Sequence, residues 1–414
     1  MKWTSVLTLL AAMLGACGDD PEGAPDAALD AGEGPPLERF VAVVQIRGGT
    51  EASAAILIED PADDVMLDLG EGLTIPGRGD AVGTPFEPDV LFTMTSEAPR
   101  IERYRVTRAG DFVNEGTLAL DAVLLSPPQA LTWRSAIFVS PEKAYLFDPF
   151  GARMILWNPT TMTVLGDAPL PEDLEIPGPL LFPVIGGNSF VREGELVFTI
   201  GFTNSGTDQI SETSFIVFAD TERDEVTRVL TPDECGYLLH GWETAEGELL
   251  YGTDVFSTAF EAATDGDVGG PSCVLRVRGA NFTTERVAPP GDLTAGRRAG
   301  SFLFVSDTSA FVRVLDEDAL PGPASSLTRI ELNNNPYWRW GFIADFASRE
   351  FSEVEGSPLG AGFVTSVTQR GRRFALVSDT DFMGSRVVEL FPDGTLRPGL
   401  RTTQALRNVV ALTL

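Results

Sequence analysis

A chain of 414 residues exceeds one small domain and fits two or three ordinary domains or one large repeat architecture. Its 43% hydrophobic and 22% charged content supplies a sizeable core and excludes wholesale disorder. Sixty acidic residues against thirty basic ones give a net charge of −30, a field that repels phosphate backbones and sets nucleic acid aside, while a single histidine, His240, excludes multi-histidine metal centres.

The first element is an address. Lys2 is followed by an apolar run over residues 6–14 (VLTLLAAML), too short to cross a bilayer as a stable helix. It ends in Leu14-Gly15-Ala16-Cys17, which resembles the bacterial lipobox. Residues 1–16 are therefore expected to be a signal peptide and Cys17 the lipidated mature N-terminus. The alternative is an ordinary secretory signal with an incidental cysteine. Residues 17–37 carry Asp19, Asp20, Glu22, Asp26, Asp30 and Glu33 among proline and glycine, with almost no large apolar side chain before Leu37. Such a segment cannot pack a core and reads as a flexible acidic tether. Gly18 after the cysteine favours the outer membrane by the lipoprotein sorting habit. The expected location is the cell envelope, with the lipid as the membrane contact and the periplasmic or surface side left open.

From Arg39 onward the apolar period is two, which is the strand period. No window of a dozen residues shows a helical stripe. Strands recur in sets, anchored by Phe92, Tyr145, Val197, Leu250, Phe311 and Phe374 at intervals of 53, 52, 53, 61 and 63 residues. With an irregular first unit from Val41 to Ala81, this makes seven units. Four strands per unit at this spacing predict an all-β chain, a seven-bladed β-propeller over residues 38–414. Six or eight blades, or a double β-sandwich, are the alternatives. The terminal strand RNVVALTL is expected to close the ring, and Asn158-Pro159 and Pro392-Asp393-Gly394 to make tight reversals.

With Cys17 assigned to lipid, Cys235 and Cys273 remain. In an exported protein they are expected to pair, closing the loop TDVFSTAFEAATDGDVGGPS, the alternative being two buried thiols. For catalysis the residues offer little. His240 sits in YLLHGW beside an apolar strand and reads as a packed polar residue. There is no GxSxG elbow or HExxH, and Gly48-Gly49 and Gly186-Gly187 open no helix that could cradle phosphate. The chain is read as a non-enzyme needing no cofactor. Asp265-Gly266-Asp267 and Asp316-Glu317-Asp318 are weak candidates for calcium through loop oxygens.

The cations are nearly all arginine, and Lys143 is the one lysine after Lys2. The loops joining successive blades of a propeller surround one mouth of its channel. Here they carry Trp133, Arg134, Phe182, Arg297, Arg298, Arg401 and Arg407. The segment NNNPYWRWGF adds Tyr337, Trp338, Arg339 and Trp340 on the same face. Guanidinium forks beside indole faces suit an anionic, aromatic ligand. The competing reading packs the aromatics between blades and pairs the arginines with the abundant carboxylates.

The segment SAIFVSPEKAYLFDPFGARMILWNPTTMTVLG resembles exported bacterial propeller lipoproteins found beside siderophore and iron-uptake loci, including the myxochelin-cluster type. Pro141, Lys143, Ala144 and Tyr145 match its first strand, with Glu142 in place of threonine. Ile155, Trp157, Asn158, Pro159 and Met162 match its second. Cys235-Gly236-Tyr237, the run from Ser272 to Arg276, and WRWGFIADF are similar as well, so the resemblance spans Phe40 to the C-terminus. It implies the fold, the lipid anchor and an association with iron uptake. Three roles follow as expectations. The first is a monomeric binding protein passing a ferric siderophore to an outer-membrane transporter. The second is an interaction scaffold on the envelope. The third is a propeller enzyme of lactonase or quinoprotein type.

Overall fold

The computed structural model describes residues 35–414, apart from 48–50, 71, 96, 125–131, 149–150, 173–181, 205–208, 233–234, 267–272, 279–282, 290 and 379–383. The expected signal peptide, Cys17 and most of the tether lie outside these residues. Residues 36–414 form one compact unit.

Consecutive apolar residues make inner strands that are greasy on both faces, and a single sheet cannot bury both. The strands form seven antiparallel sheets, each built on a path of four. Outward from the axis, blade two runs Gly79–Gly83, Val90–Thr95, Arg100–Val106 and Phe112–Ala119. Blade three runs Ala136–Ser140, Lys143–Asp148, Arg153–Asn158 and Thr163–Pro169. Blade four runs Phe182–Ile185, Glu195–Asn204, Phe215–Asp220 and Glu225–Leu230, with two short flanking strands. Blade five runs Leu238–Glu243, Leu249–Thr253, Val274–Arg278 and Thr283–Arg286. Blade six runs Ala299–Phe304, Ala310–Leu315, Trp338–Asp345 and Glu350–Glu353. Blade seven runs Val364–Gln369, Arg372–Ser378, Ser385–Leu390 and Leu396–Thr402.

Blade one takes its axial strand from the other end of the chain. Ala405–Thr413 pairs with Glu38–Ile46, followed outward by Ala52–Ile58 and Leu73–Pro76. The register runs from Glu38 opposite Thr413 to Gln45 opposite Ala405, and Leu37 and Leu414 exchange both backbone bonds at 2.8 and 2.9 Å. The expected ring closure is therefore present, and the blade count is seven.

The period-two pattern now has a physical reading: alternate residues of one strand serve opposite neighbours. In blade two, Val90, Phe92 and Met94 pack on Ala144, Leu146 and Trp157 of blade three, whereas Leu91 packs on Val41 and Val43 of blade one. In blade three, Tyr145 and Phe147 face Leu196 and Phe198 of blade four. The predicted anchors all sit in second strands, at the centre of such junctions. The Trp157 indole, fully buried, meets Phe92 and Phe138 edge to face at 5.5 and 5.7 Å. Each such side chain contributes about 1.5–3 kcal/mol by burial.

Two connections depart from the sequence reading. The stretch assigned to a loop after Thr253 contains a helix, α1 (Val255–Ala263), between the second and third strands of blade five. The matching connection of blade six holds α2 (Arg329–Asn334), capped by Thr328 with Glu331 reaching back. The two pack together through Val255, Ala259 and Ala262 against Leu332, with Trp338 beneath. The stripe in α1 is real, but at nine residues it is shorter than the window that reveals helical periodicity. The predicted turns are in place. Asn158 Oδ1 accepts the Thr160 and Thr161 N–H groups at 2.9 Å, and Gly394 takes φ +85° in the Asp393 turn.

Cys235 and Cys273 form the expected disulfide, 38 residues apart in sequence and buried between blades four and five. A loop of that length gives a chain-entropy stabilisation of about 4 kcal/mol. The Cys235→Ser/Cys273→Ser double variant is expected to lose about that much in urea unfolding. A loss below about 1 kcal/mol would mean the α1 connection is held by packing alone.

Several charges on the second and third strands are paired. Arg103 and Arg105 share Glu87 and Glu115, and Arg105 also meets Asp89. Arg372 bridges Asp60 and Glu389 at 2.9 and 2.7 Å. Lys143 contacts Asp224 at 2.5 Å and donates to the Thr221 carbonyl at 2.7 Å, while the Tyr145 hydroxyl donates to the same Asp224 at 2.5 Å.

Candidate functional site

The axial strands enclose a funnel of about 680 Å³, walled by Gly83 of blade two, Phe138 of blade three, Gln369 of blade seven and Asn408 of blade one. Its polar lining is fixed by the sheets. Asn408 Nδ2 donates to the Ala81 carbonyl at 2.7 Å, and Gln369 spans Val409 O and Ala411 N at 3.1 and 3.2 Å. No aspartate or glutamate is among the described residues lining it, although the chain carries sixty. Two arginines do line it. Arg370 is tied to Glu38 at 2.8 Å and covers the Phe40 ring.

Arg134 is the other. It lies on a single helical turn, Trp133–Ser135, just before the axial strand of blade three, and its Nη2 reaches Thr365 Oγ1 of blade seven at 3.3 Å. Burial pushes its guanidinium below the usual value, as does nearby Arg407, against the raising influence of Asp254, Tyr237 and the buried Asp80. Arg407 itself has no carboxylate partner among the described residues. The funnel thus presents positive charge at its head and neutral polar walls.

Beyond Arg134, under the two helices, lies a buried polar knot. Asp254 is the N-cap of α1, and its Oδ1 accepts the Phe256 N–H at 2.9 Å. Its Oδ2 meets His240 Nε2 at 2.9 Å and accepts from Ser301 Oγ at 3.0 Å, all three residues being buried. Burial alone would raise the Asp254 carboxyl. The hydrogen bond and charge of His240, the Phe256 N–H and the charge of Arg134 outweigh it and hold the group below the ordinary carboxylate range. Ser301 serves the carboxylate, not the imidazole, so the order needed to activate a serine is absent. Arg329, also buried, lies 4.7 and 4.9 Å above the Phe256 and Phe260 rings.

The residues expected to form one mouth are divided by the structure. Arg134 reaches the channel. Arg297 pairs with Glu353, Arg298 with Glu317 at 3.1 Å, Arg339 with Asp316 at 2.5 Å, and Arg401 with Asp64 at 3.0 Å. Trp338 is fully buried, its indole donating to the Leu332 carbonyl at 2.7 Å, and Tyr337 packs beside it. Trp340 is buried at the junction of blades six and seven, edge to face with Phe311 at 6.1 Å. The side chains of Trp133 and Phe182 lie outside the described residues, as does Asp267. Asp316 and Glu317, offered as calcium ligands, are taken by Arg339 and Arg298. Among the described residues no cluster of three or more histidines, cysteines or carboxylates is arranged to hold a metal ion. Asp254 and Ser301 escaped sequence reasoning. The one available signal was an Asp before an apolar turn, read as a loop residue.

No protein-family model matches the chain, and no curated protein matches it. Its fold is similar to that of a hypothetical selenium-binding protein from Sulfolobus tokodaii, with TM-score 0.53 and 10% identity over 91% of this chain and 94% of that one. It is similar also to the periplasmic gluconolactonase of Pseudomonas aeruginosa, with TM-score 0.52 and 12% identity over 91% and 99%. At such identity the likeness concerns the fold.

Proposed function

We propose that this chain is a lipid-tethered envelope protein whose propeller funnel binds a small anionic ligand. The observation that carries the reading is the charge of the funnel: in a strongly acidic protein its described lining has no carboxylate, and Arg134 stands at its head. A cavity of about 680 Å³ is within the usual range for small-molecule sites. The guanidinium of Arg134, deprived of water by the surrounding blades, is a charge-assisted donor for an entering oxyanion. Ferric catecholates, implied by the resemblance to siderophore-linked lipoproteins, are anionic members of this class and the first to test. The hydrogen-bond order of Ser301, Asp254 and His240 leaves Ser301 without an imidazole base.

Calorimetric titration with ferric catecholates, ferric hydroxamates and small polycarboxylates tests the proposal. Saturable micromolar binding is expected, weakened at least tenfold in Arg134→Ala and unchanged in Arg297→Ala, whose cation is already paired. A flat titration across the panel would end the ligand reading and return the weight to a protein-interaction scaffold.

A further inference from the structure

A second cavity, of about 530 Å³, opens between blades six and seven, away from the channel funnel. On the blade-six side it is lined by Arg313 and Trp340, and on the blade-seven side by Arg386, Val388 and Leu396. Arg313 stands on the second strand of blade six and is 1% exposed. Its Nη2 donates to the Trp338 and Ala361 carbonyls at 3.0 and 2.7 Å, and its Cζ lies 4.8 Å from the Trp340 ring centroid. Its Nε has no partner. Among the described residues no carboxylate faces this guanidinium, and burial pushes it down to about 9.

Arg386, at the start of the third strand of blade seven, also forms no ion pair among the described residues. Arg297, Arg298, Arg339, Arg372 and Arg401, by contrast, each meet an acid. The carboxylate on the lining, Glu355, is exposed at the rim and bonds neither arginine. Burying a guanidinium without a counter-charge is costly, and Arg313, joined on the lining of one cavity by the partly exposed Arg386, leaves a place for an anion. Close approach is built into the backbone: a Cβ on Gly360 would come within 3.2 Å of Arg313 Nη2.

We propose that this groove is a second ligand site, taking a small organic anion whose carboxylate or phosphate sits between Arg313 and Arg386 and whose flat apolar body lies against Trp340, Val388 and Leu396. The site is independent of the channel and stands or falls separately from it. Fork-shaped guanidinium groups match the two oxygens of either oxyanion, and the apolar walls select for an aryl body over a bare ion.

The test is titration of the full chain with benzoate, phenyl phosphate, inorganic phosphate and the neutral analogue benzamide, by calorimetry and tryptophan fluorescence. Benzoate or phenyl phosphate is expected to bind saturably. Benzamide and inorganic phosphate are expected to bind at least tenfold more weakly. Arg386→Ala, at a partly exposed position with no ion pair to break, is expected to weaken the aryl anion at least tenfold with an unchanged melting temperature. Arg134→Ala, in the channel, leaves that binding intact. Arg313→Gln is expected to abolish binding, and because it removes a buried guanidinium its fold is checked by circular dichroism. Absence of saturable binding, equal binding of benzoate and benzamide, or loss of binding in Arg134→Ala with retention in Arg386→Ala would each overturn the assignment.

Discussion

Removal of residues 405–414 is expected to abolish cooperative unfolding altogether. That strand buries Leu406, Val409, Val410 and Leu412 between blades seven, one and two. At about 1.5–3 kcal/mol for each large side chain, the loss is roughly 6–12 kcal/mol, comparable with the whole stability of an ordinary domain. The truncation also strips the partner from Glu38–Ile46 and opens the ring to edge pairing with other chains. Scanning calorimetry of the truncated chain should show no sharp transition, and adding the missing segment as a peptide should restore part of it. A truncated chain that melts sharply within a few degrees of the intact one would mean the blades hold one another without closure.

The second large effect is expected at Asp254. Asp254→Ala leaves the Phe256 N–H, the Ser301 hydroxyl and His240 without their acceptor in a buried place, and frees the start of α1. Losing one partner of such a knot costs about 3–5 kcal/mol, read as a lower urea midpoint at an unchanged slope. Asp254→Asn isolates the charge. The carboxyl is held below its ordinary 3.8 in the folded chain, so the unfolded chain binds the proton more readily. The stabilisation is therefore complete above pH 3.8 and is lost as pH falls through the lower folded value. The gap between the wild type and Asp254→Asn should hold from neutral pH to about 5 and close as the solution becomes more acid. A gap that widens on acidification would show that the charge opposes the fold. Glu87 and Glu115, both held low by Arg103 and Arg105, act in the same direction, so the intact protein should weaken below about pH 4.5.

The blades were legible because each one is a local event. The anchors Phe92 through Phe374 report a strand buried on both faces, and such a strand shows itself within six residues. The disulfide was legible by elimination among few cysteines, and the closing strand by its position at the end of a repeat. The binding surface was not, since an arginine's state depends on residues remote in sequence. Arg297 is neutralised by Glu353 and Arg372 by Asp60, 56 and 312 residues away. Arg313 looks no different from them in a window of sequence, yet it meets no acid among the described residues. The composition that suggested an arginine-rich mouth could not separate paired from unpaired guanidinium groups. Trp338 and Trp340, offered as stacking platforms at that mouth, serve instead under α2 and at a blade junction.

Lys143 has a practical consequence for finding what this protein touches. Among the described residues it is the one primary amine on a side chain, and Asp224 and the Thr221 carbonyl already engage it. Amine-directed reagents, the usual means of trapping neighbours on intact cells, will therefore pass over the propeller almost unreacted. Carbodiimide chemistry, which activates carboxylates, will find reactive groups all round its rim. A neighbour rich in lysine would then be captured covalently, while a survey made with succinimidyl esters alone would report this protein as solitary.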